Sequence, residues 1–305
     1  MPDAGESPGR WTNHTVADDE AGRTVQEILT GPMGISRRMI QRLTRAKGLQ
    51  LNRRPAWLAA KVRPGDVVAA RIAEREQAGL APVQMPLSIV HEDAEILVVD
   101  KPPFLLVHPT TPQQDRTLSH GVAWHFERQG LHAKVRPVHR IDRDTSGLVL
   151  FARTSHAHHR LDLQLREGGL TREYLALVDG VVQGESGTLD APIARDPRNA
   201  SLRVVRPGGE PAVTHWRVEE RHPGATLLRL ELETGRTHQV RVHLLHAGHP
   251  VLGDRQYGRR GLDLINRQAL HAARLAFAHP ATGGALDLAA PLPDDMRTAV
   301  DRLSG

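Results

Sequence analysis

The stretch His139-Arg140-Ile141-Asp142-Arg143-Asp144-Thr145-Ser146-Gly147 decides the reading of this chain. It is polar and charged, and it runs without a break into Leu148-Val149-Leu150-Phe151-Ala152, an apolar run with the pattern of a buried strand. A loop that ends in such a strand delivers side chains to a cleft from a rigid base. Gly147 permits backbone angles that other residues avoid, and Thr145 and Ser146 can tie a turn through side-chain to backbone hydrogen bonds. Asp142 has Arg140, Arg143 and His139 as near neighbours, cations that favour its ionised form. Taken alone, the nonapeptide also fits a surface loop with a local ion-pair cluster.

Around this stretch, 305 residues are enough for a large domain, or a large and a small one. The chain has no cysteine, which excludes disulfides, thiolate metal sites and a cysteine nucleophile. Its start, Met1-Pro2-Asp3-Ala4-Gly5-Glu6, lacks a basic, apolar signal pattern, and no apolar run approaches the roughly 20 residues that cross a bilayer. The expectation is a cytoplasmic protein with no membrane partner. The formal charge of +5 is unevenly spread. From Gly31 to Ile72 the cations are Arg37, Arg38, Arg42, Arg45, Lys47, Arg53, Arg54, Lys61, Arg63 and Arg71, against the single acid Asp66. So one-sided a patch points to a polyanionic partner. Aromatics are only 3% of the chain, so binding is expected to be electrostatic and shape-based rather than built on many stacked rings.

Read in order, residues 1–14 are polar, carry Gly and Pro, and read as a disordered leader. Val16, Ala21, Val25, Ile28 and Leu29 fit a short helix entered at Asp18 or Asp19. Ser36 reads as the N-cap of a helix running to about Lys47, with Gly48 as its stop. On that helix Met39, Ile40 and Leu43 share one side, while Arg38, Arg42 and Arg45 form a basic stripe on another. Leu49 to Arg54 reads as a strand and turn, and Val62 to Val68 as a turn entering a second strand. Residues 73–85 read as a linker, leaving 86–305 for the larger domain. Strand signals recur at Ile89-Val90, Ile96–Val99, Leu148–Phe151, Tyr174–Val178, Ala212–Val218 and Leu227–Leu232. Helical patterns cover 117–128, 155–166 and 237–247, the last capped at Thr237. Strands and helices without regular alternation predict an α+β fold.

The nonapeptide resembles the H-R-L-D-x-x-T-S-G motif of the RluA-type pseudouridine synthases, with Ile141 in the Leu position. The resemblance extends to Val98–Pro109, similar to the family's K-P-x-G-L-x-V-H-P segment, and to Arg172–Val178, similar to K-x-Y-x-A-x-V. It continues in Gly235–Leu244, similar to G-R-T-H-Q-I-R-x-H, and in the closing Leu270–Leu275 and Ala290–Pro293. Five segments in family order are far more specific than any one of them. Two departures stand out: Phe104 replaces the usual Gly of the opening motif, and Arg172 the usual Lys. Residues 15–72 more loosely resemble an S4 RNA-binding domain, with Gly48 one place late and Arg53 where Gly is common.

The resemblance implies a catalytic domain with a central mixed, largely antiparallel sheet, and a small S4-like α/β module before it. It implies isomerisation of uridine to pseudouridine in structured RNA, with ribosomal RNA of the large (23S) subunit favoured by the S4-like module and tRNA as the alternative. It assigns the catalytic carboxylate to Asp142, base flipping to Arg140 and stacking on the base to Tyr174. The arginine facing Asp142 is Arg241, with Arg236 second. RNA contacts are expected from Arg37, Arg38, Arg42, Arg45, Lys47, Arg53, Arg54, His139 and Arg236. No cofactor, metal or obligate protein partner is implied, and the chain is expected to act as a monomer. Of the eighteen histidines, His156, His158 and His159 invite a metal reading, but no flanking Cys or H-E-x-x-H supports it, and an exposed helix side facing phosphates fits better.

Two other classes remain open. A catalytically idle RNA-binding ribosome-assembly factor would bind RNA without isomerising it. A glycoside hydrolase or nucleosidase would release free uracil or sugar, and would ordinarily need two carboxylates flanking the bond.

Overall fold

The apolar run after the nonapeptide becomes the strand Ser146–Ala152, every residue of it buried. A strand covered on both faces can be continuously apolar, and its place in the sheet shows why it is. The computed structural model describes residues 10–72, 79–111, 113–131 and 133–304. Among these, a ten-stranded sheet runs in the order Ser186–Asp190, Val213–His222, Ala225–Leu232, Thr171–Asp179, Leu270–Ala278, Ser146–Ala152, Ile96–Lys101, Ser88–Glu92. Ala285–Ala289 adds to Leu270–Ala278, and Arg136–Pro137 to Ser146–Ala152. All pairings are antiparallel except that of Leu270–Ala278 with Ser146–Ala152, which is parallel through His271–Ser146 and Ala272–Gly147. The protein therefore has the expected α+β fold on a mixed, mostly antiparallel sheet.

Leu270–Ala278 sits at the middle of that sheet, although its alanine-rich sequence carries little strand signal. It makes Gly147 indispensable. At φ 111°, a Cβ there would lie 2.2 Å from the Ala272 carbonyl oxygen and 2.6 Å from its nitrogen. Helices Leu118–Arg128 and Ser155–Glu167 follow the expected spans closely. The third begins later, at Gln239, and its cap is His238 in the left-handed region rather than Thr237. Gln239 ties that end down: its carbonyl accepts from Arg236 N–H and the Thr234 hydroxyl, and its amide donates to Val213 C=O and Thr214 Oγ1.

Residues Arg10–Ile72 form a smaller unit around its own apolar cluster, including Val25, Ile28, Leu29, Ile40, Leu43 and Val68. Ser36 caps the helix Arg37–Arg45 by accepting from Met39 N–H at 3.3 Å, and Met39, Ile40 and Leu43 are buried as expected. The stop differs. The helix ends at Arg45, and Lys47 rather than Gly48 takes the left-handed conformation, with φ 51°. The single helix expected after Thr15 is instead a 3-10 turn at Asp18–Glu20 and a helix Val25–Thr30 capped by Thr24.

Two boundaries are corrected. Residues 1–9 of the expected leader lie outside the described residues, but Arg10–Thr15 is a strand, paired from Arg10–Ile72 to Thr15–Val67. Of the expected linker, 73–78 lie outside the described residues. Beyond them Val83 N–H donates to His120 C=O at 3.1 Å, and Met85 is buried against the site of Gly121, so this half belongs to the larger unit.

Candidate active site

Asp142 stands in a turn closed by Thr145 N–H donating to Asp142 C=O at 3.2 Å. The turn is fixed through its carbonyls by two side chains with no solvent exposure. Lys101 Nζ donates to Arg143 C=O at 3.0 Å and Pro102 C=O at 2.9 Å, and Arg267 Nη1 donates to Asp144 C=O at 3.2 Å. Arg267 is in turn held by Asp295 at 2.6 and 2.8 Å. Burial pushes the Lys101 ammonium down to about 7; the Arg267 charge adds to that, while Asp144 and Asp142 oppose it. Neither side chain reaches solvent, and through these donations both hold the loop in place.

The carboxylate of Asp142 meets Arg241. This residue lies on the helix Gln239–His246, is 3% exposed, and donates from Nη1 to Asp142 Oδ2 at 2.9 Å. Its remaining fork is fully used: Nε and Nη2 clasp Asp254 at 2.6 and 2.9 Å, and Nη2 also donates to Gln256 Oε1 at 2.7 Å. Tyr257 lies beneath, its ring centre 4.8 Å from the guanidinium carbon. Burial alone would pull the guanidinium's pKa down, but Asp254 and Asp142 outweigh it and keep the group charged. Asp254 Oδ1 also accepts from the backbone of Gln256 and Tyr257, so this carboxylate is held by four donors and is buried. Among the described residues Asp142 Oδ1 has no hydrogen-bond partner, which leaves that oxygen uncommitted.

The cavity in front is about 520 Å³, and Asp142, Arg140, Tyr174, Arg172, His238 and Arg241 line it. A second hollow of about 360 Å³ shares Asp142, Arg140, His238 and Arg241 with the first, so Asp142 stands on the ridge between them. Tyr174, on the strand Thr171–Asp179, is 6% exposed; burial pushes its phenol up, Arg172 opposing and Asp142 adding, so it stays protonated. Arg172 is buried, donating to Leu232 C=O and Thr234 C=O at 3.2 and 3.3 Å, with its guanidinium against Gly235. Burial also holds His238 below the ordinary imidazole value, Asp142 opposing and Arg241 adding.

The other expected residues divide. Arg140 is exposed and makes no hydrogen bond or ion pair among the described residues, although a local pair with an acid was one reading. Arg143 pairs with Asp144 at 2.7 Å and not with Asp142. His139 is corrected: it is buried, its Nε2 accepts Leu150 N–H at 3.2 Å, and burial pushes it down to about 3. It is a neutral group at the wall of the cavity and not a cation beside Asp142. Arg236 Nη1 donates to Glu210 at 2.8 Å, leaving Arg241 as the partner of Asp142. His156 is buried and pushed down to about 4, and His158 and His159 are half-buried and also lowered by burial, so these histidines do not form the expected exposed side of the helix. In the smaller unit Arg37, Arg38, Arg42, Arg45, Lys47, Arg53 and Arg54 are all exposed.

Sequence reasoning passed over Asp254, Gln256 and Tyr257. The available signal was the acid in Val251-Leu252-Gly253-Asp254 and the second of only two tyrosines. No helix among the described residues is long and apolar enough to cross a membrane, and no group of three or more His, Asp or Glu among them could hold a metal ion.

Comparison with known proteins gives the family of the chain. Residues 95–246 match the family model described as RNA pseudouridylate synthase. The chain is 40% identical over 293 residues to the uncharacterized RNA pseudouridine synthase YlyB of Bacillus subtilis (strain 168), covering 95% of this chain and 97% of the relative. It is 39% identical over 257 residues to the ribosomal large subunit pseudouridine synthase D of Pasteurella multocida, covering 80% and 79%. Among solved structures, human RNA pseudouridylate synthase domain containing 1 superposes with a TM-score of 0.57 at 28% identity, over 68% of this chain and 83% of that one. The chain belongs to the RNA pseudouridine synthases of the RluA family.

Proposed function

We propose that the enzyme isomerises specific uridines of large-subunit ribosomal RNA, with Asp142 as its catalytic carboxylate. The observation that carries this is the single open carboxylate oxygen on the ridge of the cavity, its other oxygen bound by a buried, charged arginine. In the reaction the C1′–N1 glycosidic bond breaks, the uracil turns, and C5 joins C1′. C5 then loses its hydrogen and N1 gains a proton, so no redox partner is needed. The Asp142 carboxylate can attack C1′, add to the base, or take a proton in an elimination route, and the cavity retains the detached base meanwhile.

A uridine inside folded RNA must leave its stack to reach Asp142, at a cost of a few kcal/mol. Arg140 is exposed and uncommitted at the rim, so it is free to occupy the vacated place. Tyr174 supplies the flat wall against the uracil. The exposed cations of the smaller unit, acting as an S4-like module, dock the surrounding RNA by its phosphates. The relatives named for the ribosomal large subunit favour that RNA over tRNA. The enzyme is expected to act as a monomer in the cytoplasm.

The test is tritium release from unmodified large-subunit ribosomal RNA and from tRNA, each labelled at uridine C5. Wild type should release tritium from the ribosomal RNA, and Asp142→Asn should release none. Release from tRNA alone would overturn the substrate, and release by the mutant would overturn the role of Asp142.

A further inference from the structure

Phe104 is out of place for any role in folding. The three other phenylalanines, Phe126, Phe151 and Phe277, are 1%, 0% and 4% exposed, whereas Phe104 is 55% exposed. Its backbone has φ 65°, a region where a side chain on Cβ crowds the following carbonyl and glycine is at ease. One residue thus combines an unburied ring with a strained backbone, and the core gains nothing from either. Strain of this kind gathers where a site needs a side chain held in a particular place.

The place is the rim of the active site. Leu105 N–H, the next residue along, donates to Arg143 C=O at 3.1 Å, and Lys101 Nζ bonds that same carbonyl. Phe104 is therefore fixed beside the residue following Asp142. Leu106, two positions on, lines the same hollow as Arg140 and Asp142. An exposed apolar ring is thus carried by the segment that borders the hollow of Arg140 and Asp142.

We propose that Phe104 is a substrate-binding residue whose ring stacks on an RNA base next to the target uridine while Arg140 occupies the space the uridine leaves. Stacking is indifferent to base identity, so Phe104 selects an unpaired or opened base beside the target rather than a particular letter. The inference rests on the proposed RNA reaction at Asp142 and adds a contact that shapes which RNA structures are accepted.

The test compares Phe104→Gly and Phe104→Tyr with wild type, using tritium release from transcripts of large-subunit ribosomal RNA and of tRNA labelled at uridine C5, together with urea unfolding. Glycine suits the backbone, so the Gly variant should unfold at the same or a higher urea concentration. Its KM should nevertheless rise roughly 5- to 100-fold, the loss of one stacked base, with kcat much less affected, and Tyr should restore it. A Gly variant whose KM stays within about twofold of wild type overturns the inference alone. So does a raised KM that follows a loss of stability and is not rescued by Tyr. Wild type that releases no tritium from either transcript overturns the reaction reading, and this inference with it.

Discussion

The two units of this molecule use arginine in opposite ways. In the smaller one, Arg37, Arg38, Arg42, Arg45, Arg53 and Arg54 are exposed around a hydrophobic cluster, with one acid among ten cations from Gly31 to Ile72. In the larger one, Arg241 and Arg267 are buried, and each is clasped by a carboxylate through two nitrogens. A solvated cation can release counterions to a phosphate, and its effect fades with salt. A buried one has exchanged its water for fixed partners and acts by holding other groups still. On the proposed function, the first kind recruits a polyanion and the second builds a reaction centre.

The largest expected effect tests the second kind at its end point. Asp142→Asn keeps the shape and a hydrogen-bond acceptor for Arg241 but removes the charge, and turnover should fall below detection in the tritium assay. Arg241→Ala comes next. It should lower kcat by two to three orders of magnitude, about 3–4 kcal/mol of barrier. A variant whose kcat stays near that of wild type would assign that role elsewhere.

Asp254→Ala should be costly for the fold. It strands a buried guanidinium and the amides of Gln256 and Tyr257, so urea unfolding should show a loss of about 3–5 kcal/mol. Asp254→Asn should lose clearly less. Equal stability of both variants with wild type would mean that Asp254 is dispensable to the scaffold.

Acid should weaken the larger unit through its buried histidines. His139, pushed from 6.5 to about 3, stays neutral in the fold while the unfolded chain takes up a proton below 6.5. The unfolded state then binds more protons, so stability is lost as pH falls from 6.5 toward 3. At about pH 5 this amounts to roughly 2 kcal/mol for one such residue. His139→Gln should flatten the dependence of the urea midpoint on pH by that share. The smallest effect belongs to the first kind of arginine: changing Arg38, Arg42 and Arg45 together to Ala should leave stability and kcat nearly unchanged.

What was legible in the sequence follows the same division. Tyr174, Arg241 and the turn around Asp142 lie within short contiguous segments that resemble family motifs, and the fold brings them to one cavity. Asp254 was not legible, because its partner is thirteen residues away and that of Arg241 at Asp142 is ninety-nine away, distances only the fold closes. The strand Arg10–Thr15 escaped for a related reason: polar residues fill it, and its pairing with Val67–Ile72 spans the whole unit. Leu270–Ala278 was hidden by its alanines, which favour helices in isolation but here allow close packing at the sheet centre. His139 misled because a histidine beside arginines in sequence turned out to face inward.

The measurement that bears most directly on the division of labour is kcat and KM across a salt series for Arg241→Ala and for the Arg38, Arg42 and Arg45 triple variant. The account predicts that Arg241→Ala loses kcat and keeps the wild-type salt slope of KM. The triple variant should keep kcat and lose about one unit of slope for each phosphate contact removed. A triple variant with lowered kcat and an unchanged slope would contradict it, as would an Arg241→Ala enzyme impaired in KM alone.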